Sequence, residues 1–277
     1  MLADDFICVR CGLQYLNRMT APDMCTNCDE DRESISHQKR EWTSLAQLQT
    51  RHTNVFSALG DGVSSLQTAP IFAIGQEAYI IQGSDGNVLW DCISCINEST
   101  VNMITSLGGL VAIAISHPHF LGSAVMWSRT FNSIPIFIHA ANLPWLPMVD
   151  PVMKLWEDRE VHVTSDIVLR HCGGHFPGSS VLYWRRGASG NGALFTSDTI
   201  VPVEDRQWVS FMYSYPNLIP ISARAVRKII AAVEDLAFDR LYGGPMYGSA
   251  GARPIIYTEA KAAVLRSAER YINHLED

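Results

Sequence analysis

Two C-x-x-C pairs near the start of the chain restrict its local fold more than any other sequence feature. They read Cys8-Val-Arg-Cys11 and Cys25-Thr-Asn-Cys28, and thirteen residues separate them. Each pair can present two thiolates to one cation, and two pairs complete a tetrahedral four-cysteine zinc site. Four thiolates leave no open coordination position. The pattern therefore predicts one structural zinc in a small knuckle spanning residues 1–35.

The knuckle has a second reading, as a docking surface for a protein partner or for another copy of the chain. A third C-x-x-C pair, Cys92 and Cys95, has no further pair near it in the sequence. We interpret these two as small buried apolar residues rather than as a metal or redox site. Paired cysteines in a chain without a secretory signal favour metal binding over disulfides.

Composition excludes several classes of function. The chain has 277 residues and a net charge of -7, whereas a general nucleic-acid binder needs a basic face. Its first residues are acidic, with no basic segment and apolar run of the secretory type. The apolar stretch GGLVAIAI, at 108–115, is too short to cross a membrane. We therefore expect a cytoplasmic protein that does not associate with membranes.

The remainder reads as a linker followed by one large domain. Apolar residues from Trp42 to Phe56 recur at roughly helical spacing, which predicts a linker helix within residues 36–68. Over residues 69–277 strand and helix patterns alternate in both halves, which favours a layered α/β sandwich. Within this domain, GSDGN at 83–87 predicts a tight hairpin and DPVMKLW at 150–156 a short helix.

Metal-binding residue types follow several of the predicted strands. His117 and His119 are two apart and would share a face if the strand before them continued. His175 lies in a glycine-rich turn, and Asp198 ends the strand pattern GALFTSDTI. Imidazoles and a carboxylate gathered from distant segments are typical of a Zn²⁺ site.

These segments resemble the metallo-β-lactamase superfamily over about residues 69–277. SHPHFLG is similar to that family's H-x-H-x-D-H segment, GGHFPGSS to its G-H-T-P-G-S turn, and LFTSDTI to the strand that ends in its metal-bridging aspartate. AYIIQGSDGNVLWD is similar to the opening hairpin, in which Asp91 would be the buried aspartate that holds the metal loops. The resemblance implies an αββα sandwich, preceded here by a small zinc-binding knuckle that resembles a zinc ribbon. It also implies a metal site formed by four residues: His117, His119, His175 and Asp198.

The chain departs from the family where a second metal ion would bind. Leu121 and Gly122 stand at the positions of the Asp-His ligands, and the segment YGGPMYG lacks the late histidine. The resemblance then implies one catalytic zinc with a water at its open position, beside the structural zinc of the knuckle. A second catalytic ion would need another ligand. His139 is the main candidate for it, and His171 is a weaker one.

By this reading the chain is a mononuclear zinc hydrolase. Zinc lowers the pKa of its bound water toward neutrality and so makes a metal-bound hydroxide available. Asp198 would orient the water and help to move its proton, with His139 as a second proton carrier. Leu121, Trp145 and Tyr247 would line an apolar pocket for a small ester, lactone or lactam.

Lactam-opening members of the family that detoxify benzoxazolinone-type plant compounds give one specific candidate activity. A non-catalytic metal-binding scaffold that docks through the knuckle is the alternative, favoured by the lost ligands at Leu121 and Gly122. An enzyme of the same fold acting on nucleic acid or other phosphodiesters is a third reading. That chemistry commonly uses two metal ions, and the acidic charge opposes it.

Overall fold

Two units, each built on one main β-sheet, make up the chain. The computed structural model describes residues 4–30, 41–244 and 255–276. The first unit comprises residues up to Ile138 together with Asn142–Leu155. The second comprises His139–Ala141 together with the residues from Trp156 onward. In the described part of the chain, no helix has the length and apolar character needed to span a membrane.

The first unit contains two sheets and three helices among its described residues. In chain order its elements are β1 (Asp4–Cys8), β2 (Gln14–Arg18), β3 (Trp42–Thr43), α1 (Leu45–Arg51), β4 (Thr53–Gly60), β5 (Val63–Ala69), β6 (Glu77–Gly83), β7 (Gly86–Trp90), α2 (Glu98–Ser106), β8 (Ala112–Ala114), α3 (Ala124–Thr130), β9 (Ile136–His139) and β10 (Met153–Trp156). Strands β1 to β3 form a small sheet in the order β2-β1-β3. Strands β4 to β10 form the main sheet in the order β10-β9-β8-β7-β6-β5-β4.

The register of the main sheet brings two functional segments to one edge. The predicted hairpin is confirmed, with β6 antiparallel to β7 and Gly83 opposite Gly86. Strand β8 then pairs in parallel with β7, and β9 in parallel with β8. The carboxyl ends of parallel strands meet at the same sheet edge. Asp91, which follows β7, therefore lies close to Ser116 and His117, which follow β8.

The cysteine knuckle shares a hydrophobic core with this main sheet. Leu13, directly before β2, and Leu16, within β2, lie in the same buried cluster as Leu121 and Val125. Each fully buried aliphatic side chain of this kind contributes about 1.5–3 kcal/mol to stability. One face of the knuckle thus packs against the first unit of the same chain.

The second unit follows from residue 156 onward. Its elements are β11 (Glu160–His162), β12 (Ile167–His171), β13 (Ser180–Trp184), β14 (Ala193–Ser197), β15 (Val201–Pro202), β16 (Val209–Ser210), β17 (Met212–Ser214), β18 (Ile219–Pro220), α4 (Ala223–Val233), β19 (Arg240–Gly243), β20 (Ile255–Ile256) and α5 (Ala260–Glu276). Over the described ranges the main sheet runs β11-β12-β13-β14-β19-β20, with β14 and β19 parallel. Apolar stripes at helical spacing on α4 and α5, such as Val226 with Ile229, pack in one core with Leu194 and Leu241 of the sheet.

One predicted helix is shorter than expected, and another is absent. The linker helix ends at Arg51, where His52 is extended, and residues 53–60 form β4 instead. Strand β5 continues into the main sheet by pairing with β6, so the sheet begins before residue 69. The short helix predicted at 150–156 does not form either: Met153–Trp156 is strand β10, which extends the main sheet beside β9.

Candidate metal centres

The four cysteines of the knuckle converge on one point. Cys8 ends β1, Cys11 lies in the turn after it, and the second pair lies in the loop that follows β2. The sulfur atoms of Cys8 and Cys28 are 3.8 Å apart, and those of Cys11 and Cys25 are 3.5 Å apart. A tetrahedral zinc with Zn–S bonds of about 2.3 Å separates its sulfur ligands by about 3.8 Å. The donor type and the spacing both fit zinc.

Electrostatics among the thiols also favour a cation. All four cysteines are buried, and none of the chain's seven cysteines, which all lie in the described ranges, forms a disulfide. Hydrogen bonds with the other thiols and burial raise the pKa of Cys11. Hydrogen bonds donated by the other thiols lower the pKa of Cys25. A protein interior holds several thiolates together only when a metal ion balances their charge.

The segment Ser116–His119 is fixed at the end of β8 by the neighbouring strand. The carboxylate of Asp91 accepts a hydrogen bond of 2.8 Å from the Ser116 amide. Asp91 is 1% exposed, and this contact is the role that the family resemblance implied for it. The Ser116 hydroxyl lies 2.8 Å from Nδ1 of His117, which leaves Nε2 as the ring atom suited to ligate a metal.

The two histidines of this segment do not share a strand. Strand β8 ends at Ala114, His117 has extended backbone angles, and His119 lies in a single 3-10 turn that begins at Pro118. Their rings are nevertheless close, with centroids 5.4 Å apart, and both are buried. The turn brings the two imidazoles together in place of the strand geometry expected from their spacing.

His175 and Asp198 form a second buried pair. His175 follows two glycines with positive φ, Gly173 and Gly174, in the loop between β12 and β13. Its Nδ1 lies 3.0 Å from the Met212 carbonyl, so it donates there and presents Nε2 toward the carboxylate of Asp198 at 3.8 Å.

Asp198 lies directly after β14. Burial raises its pKa to about 6, and the nearby His175 opposes part of that rise. A buried carboxylate with a raised pKa is stabilised in its charged form by a cation, because the cation replaces the lost hydration.

The four residues that the family resemblance implied as ligands form one group. One ligand atom from each of His117, His119, His175 and Asp198 lies within 4.8 Å of the others, and all four residues are buried. Three imidazoles and one carboxylate are a donor set that zinc accepts in tetrahedral sites.

The roles of the remaining predicted site residues stay predictions. His139 ends β9, and its ring stacks on His171 with centroids 3.8 Å apart and contacts the edge of Trp156. Leu121 is 3% exposed and belongs to the core of the first unit, and its place in a substrate pocket stays a prediction. Trp145 is half-buried in a 3-10 turn. Tyr247 lies outside the described residues.

Sequence reasoning missed the polar residues that support the histidine loop. Ser116 directly precedes His117, and this adjacency was the only sequence signal that could have pointed to its contact with the His117 ring. Asn27 and Gln76 donate side-chain hydrogen bonds to the loop backbone at Pro118 and His119. No motif marks a side-chain amide that binds a distant carbonyl.

Comparison with known proteins identifies one relative by sequence. An uncharacterized Bacillus subtilis (strain 168) protein, YmaE, is 38% identical over 272 residues, which cover 98% of this chain and 96% of YmaE. No family model matches the chain.

Solved structures supply the fold comparison. The DIM-1 metallo-β-lactamase superposes with a TM-score of 0.57 at 12% identity, covering 80% of this chain and 98% of its own. The FIM-1 metallo-β-lactamase from Pseudomonas aeruginosa, in its mono-zinc form, gives 0.53 at 15% identity, covering 78% and 95%. A metallo-β-lactamase from Erythrobacter litoralis gives 0.53 at 16% identity, covering 78% and 96%. The predicted fold class is confirmed, and a four-cysteine cluster precedes the fold.

Proposed function

Because the chain belongs to one family with YmaE of Bacillus subtilis and has the metallo-β-lactamase fold, we propose that it is a metal-dependent hydrolase. The observation that carries the proposal is the compact, buried group of His117, His119, His175 and Asp198. Buried imidazoles and a carboxylate at such short range are costly to fold unless a ligand or metal compensates for their lost hydration. A role for the group in binding an ion explains that cost.

We further propose that this group holds a single zinc. When bound, zinc supplies a Lewis acid that polarises a carbonyl group and brings the pKa of a water molecule near neutrality. The chain's own residues then divide the remaining tasks. The hydrogen bonds at Nδ1 of His117 and of His175 keep both rings in the orientation that presents Nε2. The carboxylate of Asp198 can accept a hydrogen bond from the attacking water and receive its proton.

The mononuclear form of the proposal rests on the residues after the histidine loop. Leu121 offers no donor atom and is buried in the core. Gly122 has φ of +49°, and a Cβ added there would lie 2.9 Å from the backbone carbon of Ile93. A metal-binding side chain at this position would therefore need the backbone to move.

The proposed substrate is a small ester, lactone or lactam, with Trp145 as a pocket residue and His139 as a proton carrier. Compounds of the benzoxazolinone type are one lactam to include. We propose that the reaction takes place in the cytoplasm, because a reducing compartment keeps cysteine thiols available for zinc. A partner for the exposed side of the knuckle stays a prediction.

The decisive experiment counts metal ions before it measures activity. Mass spectrometry under native conditions should find two zinc ions per chain, and one after His117→Ala. A panel of chromogenic esters, lactones and lactams should then show turnover that is lost in His117→Ala and Asp198→Ala. Retention of both zinc ions in His117→Ala would overturn the metal assignment. Two zinc ions without turnover of any substrate in the panel would favour the scaffold reading.

A further inference from the structure

Side-chain amides connect the cysteine knuckle to the loop that carries the two histidines. Asn27 lies between Thr26 and Cys28, and its Nδ2 atom donates a hydrogen bond of 3.0 Å to the carbonyl of Pro118. Asn27 is 1% exposed, so water does not compete for this bond. Pro118 is the residue between His117 and His119. The knuckle thus contacts the backbone between both proposed metal ligands.

A second amide joins a cysteine to a histidine directly. Nε2 of Gln76 donates to the carbonyl of Cys11 at 2.5 Å and to the carbonyl of His119 at 3.0 Å. Gln76 is 3% exposed and precedes β6. One buried side chain therefore connects the backbone of a ligand in the four-cysteine group with that of a ligand in the histidine group.

The loop's far end is also attached to the knuckle. The backbone amide of Gln14, in β2, donates to the carbonyl of Gly122 at 3.1 Å. Leu121 shares its buried cluster with Leu13 and Leu16 of the knuckle. The positions where the family usually has two more ligands are thus used here to join the loop to the knuckle.

Through these contacts the knuckle also fixes the conformation of the histidine loop. A buried carbonyl that loses its hydrogen-bond donor is left without hydration, so the loop conformation depends on its donors. A segment as short as residues 5–30 has little core of its own, and metal binding supplies much of the free energy that folds such segments. Without its ion, the knuckle would not hold Asn27 and Gln14 in place.

We propose that the four-cysteine site is a positioning site for the second metal centre, acting on His117 and His119 through Asn27 and Gln76. Loading of the cysteine site raises the affinity of the histidine group for its ion. The inference rests on the proposed function in one respect, that the histidine group binds an ion. It adds that the two sites are coupled and names the residues that couple them.

Cobalt(II) allows the two sites to be followed separately in the full-length chain. Thiolate coordination gives a strong charge-transfer absorption and d–d bands at long wavelength, whereas a site of imidazoles and one carboxylate gives only weaker d–d bands at shorter wavelength. Titration with cobalt in the presence of a competing chelator then measures the affinity of each site. Asn27→Leu removes the donor while keeping a similar side-chain volume.

The matched control is Asn87→Leu. Asn87 is also a buried amide in the first unit, and it donates two hydrogen bonds to backbone carbonyls, those of Leu107 and Gly109. Both of these acceptors lie outside the histidine loop. Asn27→Leu should weaken cobalt binding at the histidine group about tenfold and shift its d–d bands, with the thiolate absorption retained. Asn87→Leu should change neither property.

Two further variants keep the test decisive if Asn27→Leu folds poorly. Gln76→Met should weaken the same site by a similar factor, and Cys8→Ser should abolish the thiolate absorption and weaken the histidine group further. Unchanged affinity and d–d bands in Asn27→Leu and Gln76→Met would overturn the coupling. Equal losses in Asn87→Leu would reduce it to general destabilisation. Binding of only one cobalt ion per chain, at the thiolate site, by the unchanged protein would instead refute the proposed function.

Discussion

The imidazole rings of His139 and His171 are stacked, with centroids 3.8 Å apart and planes 17° from parallel. Burial, together with the charges of His171 and Lys228, lowers the pKa of His139 to about 4. Burial is also the main cause that lowers the pKa of His171. Both rings are therefore neutral in the folded protein near pH 7, since two stacked imidazolium ions would repel each other.

We expect acid to destabilise the protein through this pair. An unfolded histidine gains its proton near pH 6.5, whereas folded His139 gains it only near pH 4. Between these values the unfolded state binds more protons, so the free energy of unfolding falls as the pH falls through that window. In His139→Gln this fall should be smaller. Urea unfolding at about pH 7 and about pH 5 measures it.

The control for this prediction is His162→Gln. His162 is largely exposed, and its Nε2 atom lies 3.9 Å from a carboxylate oxygen of Glu160. The variant His162→Gln should show the same fall in the free energy of unfolding between about pH 7 and about pH 5 as the unchanged protein. If His139→Gln lost as much stability on acidification as the unchanged protein, the stacked pair would not be the acid-sensitive element. Turnover by His139→Ala tests the separate prediction of proton transfer, and an unchanged kcat at every pH would refute that role.

Gly244 should be essential to the position of the Asp198 carboxylate. A Cβ added at Gly244 would overlap Oδ1 of Asp198 and would lie 3.0 Å from the Ser197 carbonyl carbon. Gly244→Ala must therefore displace the carboxylate or the backbone after β14. We expect metal affinity at the histidine group to fall about 10–100-fold, with the cysteine site still loaded. Isothermal titration with zinc, after chelation of the weaker site, measures the change.

A matched variant separates this effect from simple overpacking. Gly187→Ala would place its Cβ 2.5 Å from the Cβ of Ala193 and 2.8 Å from the Trp184 ring, in the same unit. The atoms nearest to that Cβ belong to Ala193 and Trp184 rather than to Asp198. Gly187→Ala should lower the melting temperature with little change in metal affinity. A comparable loss of affinity in both variants would show that Gly244 acts only through global stability.

The periodicity of apolar residues predicted most helices and strands of this fold. It failed in segments whose apolar spacing is compatible with both a helix and a strand. Trp42 and Leu45 begin a helical spacing, but β-branched and aromatic residues after His52 pair with β5 as a strand. At Met153 and Trp156 a spacing of three suits both a helix and an irregularly buried edge strand. In both segments, pairing with a distant strand determined the secondary structure. A single sequence does not show which strands pair.

The candidate metal site was more predictable than the contacts that support it. His117, His175 and Asp198 are residue types with a distinctive chemistry at recognisable turns, so their order in the chain was informative. Asn27 and Gln76 act by donating to backbone carbonyls, and every residue of a chain carries such an acceptor. Pairing of Asn27 with Pro118, 91 residues away, depends on how the knuckle packs on the main sheet.

The three C-x-x-C pairs should divide into two classes. Cys8 belongs to the four-cysteine group, whereas Cys92, equally buried, is not in either group of potential ligands found among the described residues. Cys8→Ala should remove one zinc per chain and lower the melting temperature by several degrees, because the knuckle folds around its ion. Cys92→Ala should keep the full zinc content. Native mass spectrometry distinguishes them, and loss of zinc from Cys92→Ala would assign that pair a metal role.

Gly122 is the position at which we expect steric overlap to exclude a ligand for a second catalytic ion. Gly122 combines φ of +49° with backbone atoms of Cys92 and Ile93 about 3 Å from the position of an added Cβ. Gly109 also has a positive φ, +76°, but its added Cβ would meet nothing within 4 Å. Both alanine variants therefore introduce backbone strain, of order 1 kcal/mol, and only Gly122→Ala adds an overlap.

Gly122→Ala should consequently destabilise the protein by about 1–3 kcal/mol more than Gly109→Ala, as measured by urea unfolding. The same overlap should prevent a histidine at this position from acting as a ligand. Gly122→His, even combined with Leu121→Asp, should bind no more than two zinc ions per chain. Binding of a third ion by that double variant would show that the backbone can move to accommodate the added side chain. The mononuclear form would then reflect missing donor atoms alone rather than a closed site.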